Sequence, residues 1–181
     1  MVLRLVGSEM CIRDRPETGE ELADDLENIA KEIGGENIAA CIVEPIAGST
    51  GTLVPPKGYL QRLRKICDKH GILLIFDEVV TGWGRTGSAF ASQEFGVTPD
   101  LITMAKATTN GIVPMGVVAV REKIYNSVMD ASPEGAVELF HGYTYSGIPV
   151  AVSAAIAVQK IFEKEDIFNR VKPVSYTHLR A

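Results

Sequence analysis

The sequence predicts an α/β protein with a mainly parallel sheet flanked by helices, on three observations. Residues 72–76 (ILLIF) are an unbroken apolar run, too short for a helix and suited to a strand buried on both faces. Residues 101–105 (LITMA) repeat the pattern, interrupted only by Thr103. Stretches with helical apolar spacing alternate with these runs. Strand–helix–strand alternation within one sheet implies parallel strands and right-handed crossovers.

In chain order, Glu20–Ile33 places Leu22, Leu26, Ile29 and Ile33 at helical spacing, with acids early and Gly34-Gly35 as the stop. It is expected to be an outer helix covering the sheet. Residues 37–44 (NIAACIVE) read as a buried strand ended by Pro45. Tyr59–His70 turns Leu60, Leu63, Ile66 and Cys67 inward, carries its cations late and is capped by Gly71. His70 reads as a residue of that last turn. Residues 90–95 are expected to form a short amphipathic helix, 115–120 a further buried strand and 121–129 a helix. Residues 150–162 read as an Ala-rich, tightly packed helix.

The two apolar runs each lead into a reactive residue, Asp77 and Lys106. Ligands of open α/β sheets collect beyond the carboxyl ends of the strands, so both side chains are expected at one crevice. A lysine amine can condense with an aldehyde, and a carboxylate can hold a pyridine nitrogen protonated. The pair therefore suits pyridoxal 5'-phosphate (PLP). By spacing alone, it also suits a salt bridge or a solvated loop. Glu78 is adjacent to Asp77, points elsewhere along the strand and reads as structural.

The local sequence goes further. FDEVVTGWGRTG, then AKATTNG, then PMGVVAV resembles the cofactor-binding core of the class III (omega-amino acid) aminotransferases. The nearest branch is the beta-alanine or omega-amino acid:pyruvate type, and the resemblance covers roughly residues 17–170. It implies a fold-type I PLP-dependent transferase, of which this chain is part of the large, cofactor-binding domain. It implies that Lys106 is the catalytic residue and holds PLP as a Schiff base, that Asp77 pairs with the ring nitrogen, and that Val79 packs on the ring face. Thr144, in HGYTYSGIP, matches the family threonine that gives its hydroxyl and backbone N–H to the PLP phosphate of the opposite subunit. The parent enzyme is thus expected to be a homodimer. The implied reaction moves an amino group from a small-molecule amine donor, an omega-amino acid or amine, to a keto acid acceptor such as pyruvate.

Several positions depart from the family or carry a second reading. Glu44 matches an EPI segment near the cofactor, whereas Ser49 stands where the ornithine and GABA branches carry Glu. Val80 replaces a family Gln, Ala107 a Gly and Ile148 a His. If the backbone after the lysine needs a positive φ, Ala107 is strained. Trp83 either walls the substrate pocket or belongs to the core. Arg85 is expected to fix its loop by hydrogen bonds. Gly82, Gly84 and Gly87 match neither phosphate-binding spacing, and His141 reads as a loop hydrogen-bonder. Alternatives are a same-fold aminomutase or decarboxylase, or a non-catalytic α/β domain; the intact GRTG argues against the aminomutase.

The ends read as foreign. Residues 7–14, GSEMCIRD, can be written GGC TCG GAG ATG TGT ATA AGA GAC. The reverse complement translates as VSYTHLRA, which is residues 174–181. Residues 1–15 and 174–181 are therefore expected to be translated sequencing adapter, leaving 16–173 as a partial PLP-binding domain. Each tail carries one net positive charge, so the core moves from the whole chain's −5 to −7. An acidic, 46% hydrophobic chain has no electrostatic footprint for nucleic acid. No apolar run has the length of a membrane span. Cys41 and Cys67 lack disulfide or metal-ligand spacing, as expected of a reducing cytoplasm, and no metal site is expected. The phosphate loop, stacking aromatic and carboxylate-binding Arg of the family are not in this piece, so the chain alone is expected to be inactive.

Overall fold

The computed structural model describes residues 18–137, 139 and 141–179. The expected N-terminal tail, Cys11 included, lies outside the described residues, as do Arg180 and Ala181. Four strands form one sheet in the order β1 (Ala40–Val43), β2 (Leu73–Asp77), β3 (Leu101–Met104) and β4 (Val117–Val120). β1 and β2 run parallel, as do β2 and β3, while β4 is antiparallel to β3. The mainly parallel sheet is therefore present. β1 and β4 are its edges, and neither is the buried strand expected from its apolar sequence: Ile42 and Val118 are exposed.

α1 (Glu20–Ile33) lies against α2 (Tyr59–His70), and α2 lies on β2. Their shared core contains Ala23, Leu26 and Ala30 from α1, Leu60, Leu63, Ile66 and Cys67 from α2, and Leu74 and Phe76 from β2. The buried line of α1 is thus Ala23–Leu26–Glu27–Ala30 rather than Leu22, Leu26, Ile29 and Ile33; Leu22 is 37% and Ile33 45% exposed. The cause is at the α1–α2 contact. Two alanines allow a close approach, and Glu27, only 5% exposed, faces the cationic end of α2. It accepts a hydrogen bond from Lys69, pairs with His70 Nε2 at 3.1 Å and with Lys31 at 3.5 Å. His70 is accordingly a structural residue of the α2 terminus.

A second charged knot closes the far end of the sheet. Asp100 accepts Arg64 Nη1 at 2.7 Å and the Leu74 N–H at 2.8 Å, with Arg121 Nε at 3.5 Å. Asp100 N–H returns a bond to Leu74 O at 2.7 Å. The remaining helices are α3 (Ala91–Glu94), α4 (Glu122–Asp130), α5 (Pro149–Lys164) and α6 (Ile167–Leu179). α5 buries only Ala151 and Val158, so it is not the tightly packed helix expected. No described helix is long and apolar enough to cross a membrane.

Glu27 generates a pH prediction. Hydrogen bonding from Lys69, then from His70, outweighs its burial and lowers its carboxyl from 4.5 to about 2. A depressed folded-state value stabilises above the unfolded value and ceases to do so as pH falls through the folded one. Urea unfolding of the full-length protein should therefore lose stability from pH 4.5 toward pH 2, and Glu27→Gln should flatten that slope. An unchanged slope would dissociate Glu27 from acid stability.

Candidate functional site

β2 and β3 deliver the two expected reactive residues to the same end of the sheet. Asp77 closes β2 and is the register partner of Thr103, three residues before Lys106. Asp77 is half-buried, and its Oδ1 accepts the Val79 N–H at 3.0 Å. Lys106 is exposed and opens a single 3-10 turn, Lys106–Thr108. Neither Asp77 nor Lys106 enters an ion pair among the described residues.

Lys106 holds the left-handed conformation, φ 46°. A non-glycine residue there is uncommon and costs about 1–3 kcal/mol, a strain that clusters at functional sites. The positive φ thus falls on the lysine and not on Ala107, which is unstrained. The turn is closed by Thr108: its N–H and its hydroxyl both donate to Ala105 O at 3.0 Å. The same hydroxyl accepts Trp83 Nε1–H at 2.9 Å. Trp83, itself at φ 62°, is half-buried and lies 5.1 Å from the Phe90 ring. It is therefore a connector between its loop and the lysine turn.

The loop around Trp83 is built differently from the sequence expectation. Arg85 is exposed and makes no hydrogen bond or ion pair among the described residues. Backbone bonds from Trp83 N and Gly84 N to Ala89 O, and from Gly87 N to Gly84 O, hold the turn instead. Gly84 and Gly87 have φ 94° and 90°, and added Cβ atoms would come within 3.0 Å of Phe168 and Lys172. Their role is tight turning beneath α6.

Glu78 is completely buried. Its carboxylate accepts Ala91 N–H at 2.6 Å, Ser92 N–H at 2.9 Å and the Thr81 hydroxyl at 3.2 Å. It is the anchor of α3, and sequence reasoning saw a structural residue without seeing these partners. Glu44 Oε2 accepts Gly48 N–H at 2.9 Å and so shapes the loop that carries Ser49. That loop sits against Val80, whose Cγ1 would be 2.9 Å from a Cβ on Gly48. Thr144 is not joined to this cluster. It is exposed, and among the described residues its hydroxyl reaches only Gly142 O at 3.5 Å. His141 stacks on Tyr143 at 3.3 Å in the same loop. A groove of about 460 Å³ lies at the opposite end of the sheet, between Val97–Ile102 and Ala119–Arg121.

The residues present fit PLP. Among the described residues, Asp77 offers a carboxylate with one oxygen free of hydrogen bonds, and Lys106 an amine without an ion-pair partner. The Thr103 hydroxyl, beside Asp77 in register, is buried with no hydrogen-bond partner among the described residues. No group of three or more metal-ligating side chains occurs among the described residues.

The mainly parallel sheet flanked by helices is that of a PLP transferase of fold type I, and solved structures that superpose on this one include transaminases. One is an amine transaminase from an uncultivated Pseudomonas species in its PLP-bound form. It has TM-score 0.80 and 41% identity, over 87% of this chain and 35% of that one. The family model for class III aminotransferases matches residues 5–179, and the chain belongs to that family. It is 58% identical over 160 residues to the omega-aminotransferase of Caulobacter vibrioides, covering 88% of this chain and 36% of that protein. It is 50% identical over 173 residues to the omega-amino acid–pyruvate aminotransferase of Pseudomonas putida, covering 94% and 38%. The chain thus spans little more than a third of the curated relatives it matches.

The adjacent carboxylates should separate in stability measurements. Glu78→Ala leaves two backbone N–H groups without acceptors and should cost about 2–4 kcal/mol. Asp77→Asn keeps a bond to Val79 and should stay within about 1 kcal/mol of wild type. Urea midpoints check both; equal losses would contradict the division.

Proposed function

We propose that this chain is the core of the cofactor domain of a PLP-dependent omega-amino acid:pyruvate transaminase. Family membership supports the reading, together with the placement of Asp77 and Lys106 at the ends of adjacent parallel strands. PLP, when bound, supplies an aldehyde for the amine and an electron-withdrawing ring. Lys106 would hold it covalently, with Asp77 at the ring nitrogen and Val79 against the ring face. In the reaction, the Asp77 carboxylate would accept a hydrogen bond from that nitrogen and so hold its proton in place. The Lys106 amine would accept the proton from the α-carbon of the donor and later give it back, as general base and then acid. Pyruvate or a similar keto acid receives the amino group.

Thr144 would serve the phosphate of the partner subunit's cofactor, which makes the enzyme a homodimer with an isologous interface. Its exposure and its long bond to Gly142 support a partner outside its own strand-end cluster. The spacing of Cys41 and Cys67 supports a cytoplasmic location.

Two measurements test the assignments in the full-length protein. Borohydride reduction and peptide mapping should place the cofactor label on Lys106; label on another lysine rejects the assignment. Asp77→Asn should lower kcat about 100-fold, or about 3 kcal/mol. Mixed dimers of Lys106→Ala and Thr144→Ala subunits test the interface. One of their two sites is intact if Thr144 acts in trans, so about half of wild-type activity should return. No recovery in verified mixed dimers would place Thr144 in its own subunit's site.

A further inference from the structure

We propose that Trp83 and Thr108 are positioning residues that hold the lysine turn in its strained conformation, and so set the geometry of Lys106. The inference rests on the assignment of Lys106 above. The indole N–H donates to the Thr108 hydroxyl at 2.9 Å, and that hydroxyl donates to Ala105 O at 3.0 Å. Ala105 and Thr108 flank the two peptide units that carry Lys106, so the relay clamps the turn from both sides. Thr108 is 3% exposed. A buried hydroxyl with one donor and one acceptor partner has a defined orientation, and neither bond can be exchanged for water at low cost.

The clamp acts where the backbone is least willing. Lys106 has φ 46° and Trp83 φ 62°, so both ends of the connection sit in the left-handed region. Such conformations persist only when their surroundings over-determine them. Trp83 meets the requirement twice, through its hydrogen bond and through Phe90 at 5.1 Å. Thr109 adds a second tether on the far side, its hydroxyl donating to Val113 O at 2.6 Å. Trp83 is the single tryptophan of the chain. Phe at that position would keep the ring contact but lose the donor, and Val at position 108 would keep the shape but lose both bonds. The two substitutions thus interrupt one relay at two atoms.

The test uses the full-length protein with Trp83→Phe, Thr108→Val, both together, and Thr108→Ser. In the cofactor-free protein, amide exchange across residues 105–111 should quicken about tenfold in Thr108→Val and in Trp83→Phe. Thr108→Ser should restore it. In the PLP-loaded protein, both single variants should shift the pH midpoint of the visible band of lysine-bound cofactor. Both should also lower kcat about tenfold at nearly constant KM, the double variant no further than either single. Unchanged exchange and an unchanged midpoint would overturn the relay, as would additive losses in the double variant. A wild type with no visible band would overturn the Lys106 assignment and the positioning role together. A band with unchanged exchange would overturn the relay alone.

Discussion

The placement of the site depends on the carboxylate of Asp100, which stands at the opposite end of the sheet. Asp100 accepts the Leu74 N–H, and its own N–H donates to Leu74 O, so the entrances of β2 and β3 are locked together. Three residues along each strand the same register sets Asp77 beside Thr103. A slip of one residue would turn every side chain of β3 to the other face and carry Lys106 away from Asp77. Burial raises the Asp100 carboxyl, but the Leu74 N–H and the Arg64 guanidinium together bring it below its ordinary value. Its charged, accepting form is thereby favoured. Arg64 arrives from α2 and Arg121 from the end of β4, so one carboxylate aligns a helix and three strands.

At the site end the chain does the reverse, storing strain rather than relieving it. Trp83, Lys106 and Asn110 all have positive φ without being glycine. At about 1–3 kcal/mol each, such a cluster needs rigid neighbours. Glu78 supplies one by fixing the start of α3 to the end of β2 through two backbone N–H groups. α6 supplies another by lying against Gly84 and Gly87. The fully buried acid and the strained lysine are therefore two halves of one design. The first removes freedom from the loop between the strands, and the second uses that rigidity to hold an amine in a fixed direction.

The parts of this arrangement that follow from chain pattern were legible in the sequence. The apolar runs before Asp77 and Lys106 announce strands, and the end of a parallel strand announces where a side chain goes. The order of FDEVVTGWGRTG, AKATTNG and PMGVVAV carried the family. What escaped depends on distant contacts. The buried face of α1 is set by Lys69 and His70, about forty residues away, which draw Glu27 inward and leave Leu22 outside. Apolar composition marks β1 and β4 as strands, and in this chain each has a neighbouring strand on one side only. Arg85 looked like the anchor of its loop because of its charge, whereas glycine backbone geometry does that work. The Trp83–Thr108 bond joins residues 25 apart with no periodicity to reveal it.

The partners of the carboxylates set Asp77 and Lys106 apart from the other acids and bases of the fold. Among the described residues, the buried acids Glu27 and Glu78 and the half-buried Asp100 each have specific partners. Glu27 has Lys69 and His70, Asp100 has Arg64, and Glu78 has the Ala91 and Ser92 N–H groups. Stability alone would favour the same treatment of Asp77 and Lys106, which stand on neighbouring strands. Instead Lys106 is turned outward at φ 46°, and Asp77 engages only a neighbouring backbone N–H with one of its oxygens. Among the described residues, Asp77 and Lys106 thus do not pair with each other. Structural economy gives no reason for that separation. On the proposed assignment, a ring gripped at its nitrogen by one group and at its aldehyde by the other would give one.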